Sequence, residues 1–224
     1  MNRRAIAALA AIALLSACSD GKKEAGVSDG ETRISCGNAP VSVFDQPPRA
    51  LGTSEPDRVA RDDPAMIGDD LKTAAVWRTY QDGDTLAYLG GEPPQLHLVT
   101  MKRVYGTWRW QGGGDCTAYV KHEGRTTATW WPASQVDPVA NTFEVWASDL
   151  QCASGRPAES RVGQAVIKET ETSVVVTFTA TPLSGFQNCP SHEPARRTVH
   201  LRMPLDQRTL LDGALFPPQP PRER

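Results

Sequence analysis

Serine chemistry needs a nucleophile presented on a sharp turn beside a histidine base, and the nearest approach in this chain is TPLSG at 181–185. It lacks the first glycine of G-x-S-x-G, so no nucleophile elbow is encoded. Cys189 and His192 have C-x-x-H spacing, and Cys116 has His122 nearby. A structural zinc wants four ligands in paired short motifs, and only one such pair exists, so no metal site is expected. The glycines of WQGGGDC, 110–116, could cradle an anion, but a P-loop runs on into Lys-Ser/Thr and a helix. These run into a predicted strand and read as a turn. The acid pairs Asp62-Asp63 and Asp69-Asp70 miss the calcium-loop spacing and read as solvation and helix capping. His97 and His200 sit in alternating segments, as solvated strand residues do. No catalytic residue and no cofactor motif emerges, although glycosidase carboxylates come from distant parts of a chain and leave no local signature.

The remaining candidates are aromatic. All six tryptophans, at 77, 108, 110, 130, 131 and 146, lie in the middle third. Core packing accounts for most such residues. Trp130 and Trp131 are adjacent, so in a strand they leave on opposite faces, and one indole stands exposed if one face is wet. Trp108 and Trp110 would share a face, as a small platform for sugar rings or apolar ligands. Trp108, Trp110, Trp130 and Trp131 are therefore the candidate ligand-binding residues.

The elements that must carry them have a period of two. TSVVVTFTA places Val174, Val176, Phe178 and Ala180 on one face. RTVHLRM turns Val199, Leu201 and Met203 inward and Thr198, His200 and Arg202 outward, as in a sheet wetted on one side. Further strands are expected at 85–89, 96–102, 107–110, 116–121, 126–131, 143–147 and 164–168. The turn signals QDGD, LGGEPP, QGGGD and HEGR separate them. Short strands joined this way predict a mainly β fold, an antiparallel sandwich or partly open barrel of about eight to nine strands. One helix is expected over 70–79, where Leu71, Ala74 and Ala75 fall at i, i+3 and i+4. The prolines between 44 and 68 predict irregular chain there.

The chain has 24 basic and 26 acidic residues, which is not the balance of a nucleic-acid binder. Its first residues are Met-Asn-Arg-Arg followed by thirteen uncharged ones, the n- and h-regions of an export signal. As a helix those thirteen rise only ~20 Å, short of the ~30 Å hydrocarbon core. Leu15-Ser16-Ala17-Cys18 resembles the lipobox of bacterial lipoproteins, and the resemblance implies cleavage after Ala17 and a diacylglycerol on the Cys18 thiol. Stable anchoring needs two acyl chains, which that modification supplies. The domain plan is then a signal peptide (1–17), a flexible tether (18–33), one β-rich domain (34–215) and a proline-rich disordered tail (216–224). The tether, mostly Ser, Asp, Gly, Lys and Glu, would reach on the order of 20 Å from the membrane.

Cys36, Cys116, Cys152 and Cys189 are an even set in an exported chain, which favours two disulfides. Of three pairings, Cys152 with Cys189 and Cys36 with Cys116 is preferred, because the first pair would join loops flanking the strands at 164–168 and 173–180. The last third carries a recurring frame: Cys152 before Ala-Ser-Gly-Arg, a β run ending in Pro182-Leu183-Ser184-Gly185, Cys189 before Pro190, and Pro-Leu-x-x-Arg-x-Leu-Leu-Asp-Gly at 204–213. It resembles a set of uncharacterised exported or lipid-anchored proteins of high-GC Gram-positive bacteria, with a weaker echo at 110–116. The resemblance implies location and fold, and it fits a Cys152–Cys189 bridge. The set has Cys-Pro-Gly-Asn-Pro where this chain has CPSHEP, so His192 reads as incidental.

The expectation is an extracytoplasmic protein, lipid-anchored in the cell membrane or outer membrane, and most simply a non-enzymatic binding or accessory module. Its partners would be the membrane, through Cys18, and an envelope polymer or protein. The rivals are a hydrolase of an envelope polymer and a structural envelope protein working with a protein partner. Intact mass of the purified chain under non-reducing conditions should show loss of residues 1–17, addition of acyl groups and four missing thiol protons. A retained initiator methionine, or four alkylatable thiols without reductant, would overturn this reading.

Overall fold

The structure, a computed structural model, describes residues 31–62, 74 and 76–223. Cys18 and most of the expected tether lie outside the described residues, as does half of the expected helix over 70–79. Glu31–Arg224 make one compact unit.

The chain is mainly β, with ten strands and one α-helix among the described residues. The first sheet is an antiparallel meander of β1 (Trp77–Asp82), β2 (Thr85–Gly90), β3 (Gln95–Val104) and β4 (Thr107–Thr117). QDGD makes the first hairpin turn. Tyr105 and Gly106 make the third, both with positive φ (51° and 82°), as a two-residue turn matching the strand twist requires. Both faces of this sheet are covered. On one, Trp77, Leu86, Tyr88, Val99 and Met101 pack with Leu51 and Ala60 under the helix α1 (Glu55–Asp62). On the other, Leu89 and Leu96 pack with Ile34 and with Cys36 and Val43 from two 3₁₀ turns, Cys36–Asn38 and Val41–Asp45.

The helix expected over 70–79 is contradicted at its C-terminal end, and 70–73 and 75 lie outside the described residues. Trp77–Thr79, the end of that predicted helix, belong to β1, and the observed helix lies in the stretch expected to be irregular. Ser54 caps it, taking Asp57 N–H on its hydroxyl at 3.4 Å, and Pro56 sits in the first turn, where a missing N–H breaks no helical bond. Asp57 then locks the helix to the sheet. Its carboxylate accepts both Arg49 guanidinium nitrogens at 3.0 Å, Gly52 N–H at 2.8 Å and the buried Tyr88 hydroxyl at 2.7 Å.

QGGGD is likewise no turn. Residues 111–115 run through β4, which carries a register shift against Thr100/Met101, so the expected strands at 107–110 and 116–121 are one strand plus irregular chain. Glycine-rich sequence is tolerated because β4 is an edge.

The second sheet has the order β10 (Thr209–Asp212), β8 (Ser173–Ala180), β5 (Thr126–Pro132), β6 (Thr142–Asp149), β9 (Ala195–His200), with β7 (Val166–Glu169) on β8. Only β10 lies parallel to its neighbour. The sheet curls into a half-barrel around Trp130, Phe143, Val145, Val174, Val176, Phe178 and Val199. The alternation of β8 holds: Val174, Val176, Phe178 and Ala180 are all buried. In RTVHLRM, Val199 and Leu201 point inward, but Met203 is 58% exposed, because the strand ends at His200 and the chain turns away before Pro204. Arg197 of β9 bonds Val162 O, ahead of β7, at 2.7 Å, and Arg202 N–H, just past β9, bonds Glu169 at the end of β7 at 2.9 Å.

Cys36–Cys116 and Cys152–Cys189 are bridged, with Cα separations of 5.9 and 4.4 Å. They close 80- and 37-residue separations, worth roughly 4–5 and 4 kcal/mol in the chain-entropy picture. Two such bonds are those of a chain matured in an oxidising, extracytoplasmic compartment. Among the described residues no helix is long and apolar enough to cross a membrane. The proline-rich end, expected to be disordered, is docked on the body: Phe216 stacks 5.4 Å from Phe44, and Gln219 pairs with Asp212. A Cβ at the preceding Gly213 would meet the side chains of Thr177 and Val175, so only glycine lets the chain cross β8 there.

Two carboxylates shift in opposite directions. Burial alone would raise Asp57, but hydrogen bonds from Arg49, Tyr88 and Gly52 outweigh it and hold the group at about 2. Burial pushes Asp212 up to about 6, against hydrogen bonding from Ala214 and Trp130. The stability from Asp57 is therefore complete above about pH 4 and is lost as pH falls toward 2. Asp212 binds its proton more tightly folded than unfolded, so stability falls as pH climbs from about 4 to 6. Urea midpoints across this range should show Asp57→Asn costing roughly 2 kcal/mol at neutral pH and far less near pH 2. Asp212→Asn should gain roughly 2 kcal/mol at neutral pH and flatten the slope between about 4 and 6.

Candidate functional site

The structure separates the four candidate tryptophans. Trp130 is fully buried, its indole N–H donating to Val176 O at 3.0 Å between the rings of Phe143 and Phe178. It belongs to the core and is no ligand residue, because the inner face of the half-barrel is filled by side chains. Trp131 points to the other face, as alternation requires. Trp108 and Trp110 do share a face, on the first sheet, but Trp108 leans on the cluster beneath α1 while Trp110 is 46% exposed. They form no joint platform with Trp131.

Trp131 instead stands directly opposite Trp146 of β6, and Trp146 directly opposite Arg196 of β9. The Arg196 guanidinium lies 5.7 Å from the Trp146 ring centre and pairs with Glu144, the outward residue two positions back on β6. The outer wall of the half-barrel thus carries a cross-strand row of two half-buried indoles and a guanidinium, with exposed Glu144, Thr198 and His200 to one side. Sequence reading had Trp131 but not its row, since register across β5, β6 and β9 is not written in any one segment.

On the other side of the row, Ser148 of β6 meets His192 of the 181–194 loop, Oγ to Nε2 at 3.1 Å. Asp149 Oδ1 approaches the same Nε2 at 3.6 Å, and Asp149 is paired with the buried Arg161 guanidinium. The alternation of β6 and the Cys152–Cys189 clip bring these four together from three parts of the chain. His192 is thus engaged, where the resemblance made it incidental. The types are those of a serine relay, but the geometry is not: a relay needs serine and acid on opposite ring nitrogens. Here both meet one nitrogen, and the aspartate charge is already matched by arginine. Asp149 Oδ1 and Arg161 Nε have no hydrogen-bond partner, so the cluster is a tight, partly satisfied brace for the loop. Burial, with the nearby Arg161 charge, lowers the His192 pKa.

The C-x-x-H pair cannot ligate as a pair, because the Cys189 sulfur is bonded to Cys152, and the Cys116 sulfur near His122 is bonded to Cys36. Among the described residues no group of three His, Cys, Asp or Glu is placed to hold a metal ion. Asp62 ends α1, while Asp63 and the pair at 69 and 70 lie outside the described residues. His97 is not a solvated strand residue: it packs edge-on to Trp77 at 6.2 Å and faces Asp115 at 3.3 Å.

Fold and surface together define a disulfide-clipped, mainly β extracytoplasmic domain with an aromatic row on its outer wall. No family model matches the chain, and neither a curated protein nor a solved structure does.

If the polar cluster is a brace, Arg161→Met should destabilise the fold by about 3–5 kcal/mol, because it strands the Asp149 charge. Ser148→Ala should cost under about 1 kcal/mol. In an NMR titration, the His192 midpoint should lie below the ordinary histidine value of about 6.5.

Proposed function

We propose that this chain is a lipid-anchored envelope protein, acylated at Cys18, whose domain is a non-enzymatic binding module for an envelope polymer, with the outer wall of the half-barrel as its ligand face. The observation that carries this reading is the row Trp131–Trp146–Arg196. A water-facing sheet surface is ordinarily polar, and two facing indoles beside a guanidinium offer flat, apolar and cationic faces to one ligand. Such a row stacks on sugar rings, while Glu144, Thr198 and His200 supply hydrogen-bonding groups beside it. The one-sided contact of Ser148 and Asp149 with His192 favours binding over hydrolysis.

The test is a titration of the purified protein with solubilised envelope glycan fragments, read by intrinsic fluorescence and by calorimetry. Trp146→Ala should weaken binding at least about tenfold, and Arg196→Gln several-fold, with circular dichroism unchanged. Binding indifferent to both substitutions, or fragments shortened on incubation, would overturn the proposal.

A further inference from the structure

The third hairpin of the first sheet has no assigned role, and its composition is unlike the rest of the surface. The last residue pair between β2 and β3 is Thr85 with Lys102, whereas β3 and β4 stay paired out to Val104 with Thr107. Residues 104–107 therefore stand as a finger beyond the end of the β1–β2 hairpin, with Arg103 and Trp108 at its root. At its tip Tyr105 is 100% exposed, and at its base Trp110 is 46% exposed. Lys102 and Arg109 face each other across the strands on one side, and Arg103 stands opposite Trp108 on the other. From Met101 to Trp110 there are three cations and no acid, all three cations are exposed, and none has an ion-pair partner among the described residues. The neighbouring acids sit at the root: Glu55 holds Trp108 N–H at 3.3 Å, and Asp84 offers only its backbone carbonyl to Arg103 N–H, with Asp82 on the same β1–β2 turn.

We infer that this finger is a membrane contact, which lays the domain against an anionic bilayer through Lys102, Arg103 and Arg109 with Tyr105 and Trp110 at the headgroup level. Basic residues are drawn to anionic headgroups, and tyrosine and tryptophan settle where one end of the ring is apolar and the other wet. A structural hairpin tip needs neither an aromatic side chain in full solvent nor three unpaired cations. The contact is separate from the outer-wall row, lying on the other sheet, and does not depend on acylation at Cys18.

The test uses a chain beginning at Ser19, which keeps the whole compact unit Glu31–Arg224 but has no leader and no acyl group. It is sedimented with vesicles of phosphatidylcholine alone or mixed with phosphatidylglycerol. Binding to the anionic vesicles only is expected. The triple variant Lys102→Gln/Arg103→Gln/Arg109→Gln should bind about 100-fold more weakly. Tyr105→Ala should lose several-fold, and Trp146→Ala, which disables the outer wall, should bind as the parent does. Equal binding to both vesicle types, no loss in the triple variant, or binding to soluble polyphosphate without binding to vesicles would overturn the inference. Failure of the glycan titration with vesicle binding intact would leave this inference standing and remove only the proposed function.

Discussion

Trp130 is the residue around which the second sheet is wound. Its ring fills the space between Phe143 and Phe178, and its N–H satisfies the Val176 carbonyl where β5 diverges from β8. That divergence leaves the gap into which β10 fits, alongside β8. Removing such a side chain costs about 3–5 kcal/mol in a packed core, but the constraint is also directional. Because neighbours on a strand leave on opposite faces, fixing Trp130 inside fixes Trp131 outside. The outer-wall row follows from the core.

The first sheet is built differently, with thin layers on both faces instead of one enclosed core. One face is clipped covalently through Cys36–Cys116. The other is held by the α1 helix, whose polar anchor is the carboxylate of Asp57. Two small hydrophobic clusters, one on each face, thus take the place of a single enclosed core. One contains the Cys36–Cys116 bridge, and the other relies on the charge-assisted hydrogen bonds of Asp57.

How much of this could be read from the chain depended on how local the signal was. The alternations in β8 and at Val199 and Leu201 were legible because each strand carries its own burial pattern. The helix α1 was missed because its prolines read as breakers, while it begins with Ser54 and a proline whose position in the first turn makes it harmless, and the end of the helix expected over 70–79 went instead to β1. QGGGD looked like a turn because glycine is the usual turn residue, yet an edge strand with a register shift accommodates three in a row. β10 has only four residues and pairs in parallel, so nothing local announced it. The cluster at His192 had no signal at all, since Ser148 and Asp149 lie more than forty positions away and meet it only through the sheet.

Glu55 ties the helix to the root of the finger. Its carboxylate holds the Trp108 amide at the root of the hairpin, while two residues on Asp57 seats the same helix on the sheet. The same turn of α1 therefore touches both the floor of the first sheet and the strand from which the hairpin leaves it. An eight-residue helix thus serves as both the seat of one face of the sheet and the stop against which the root of the hairpin rests.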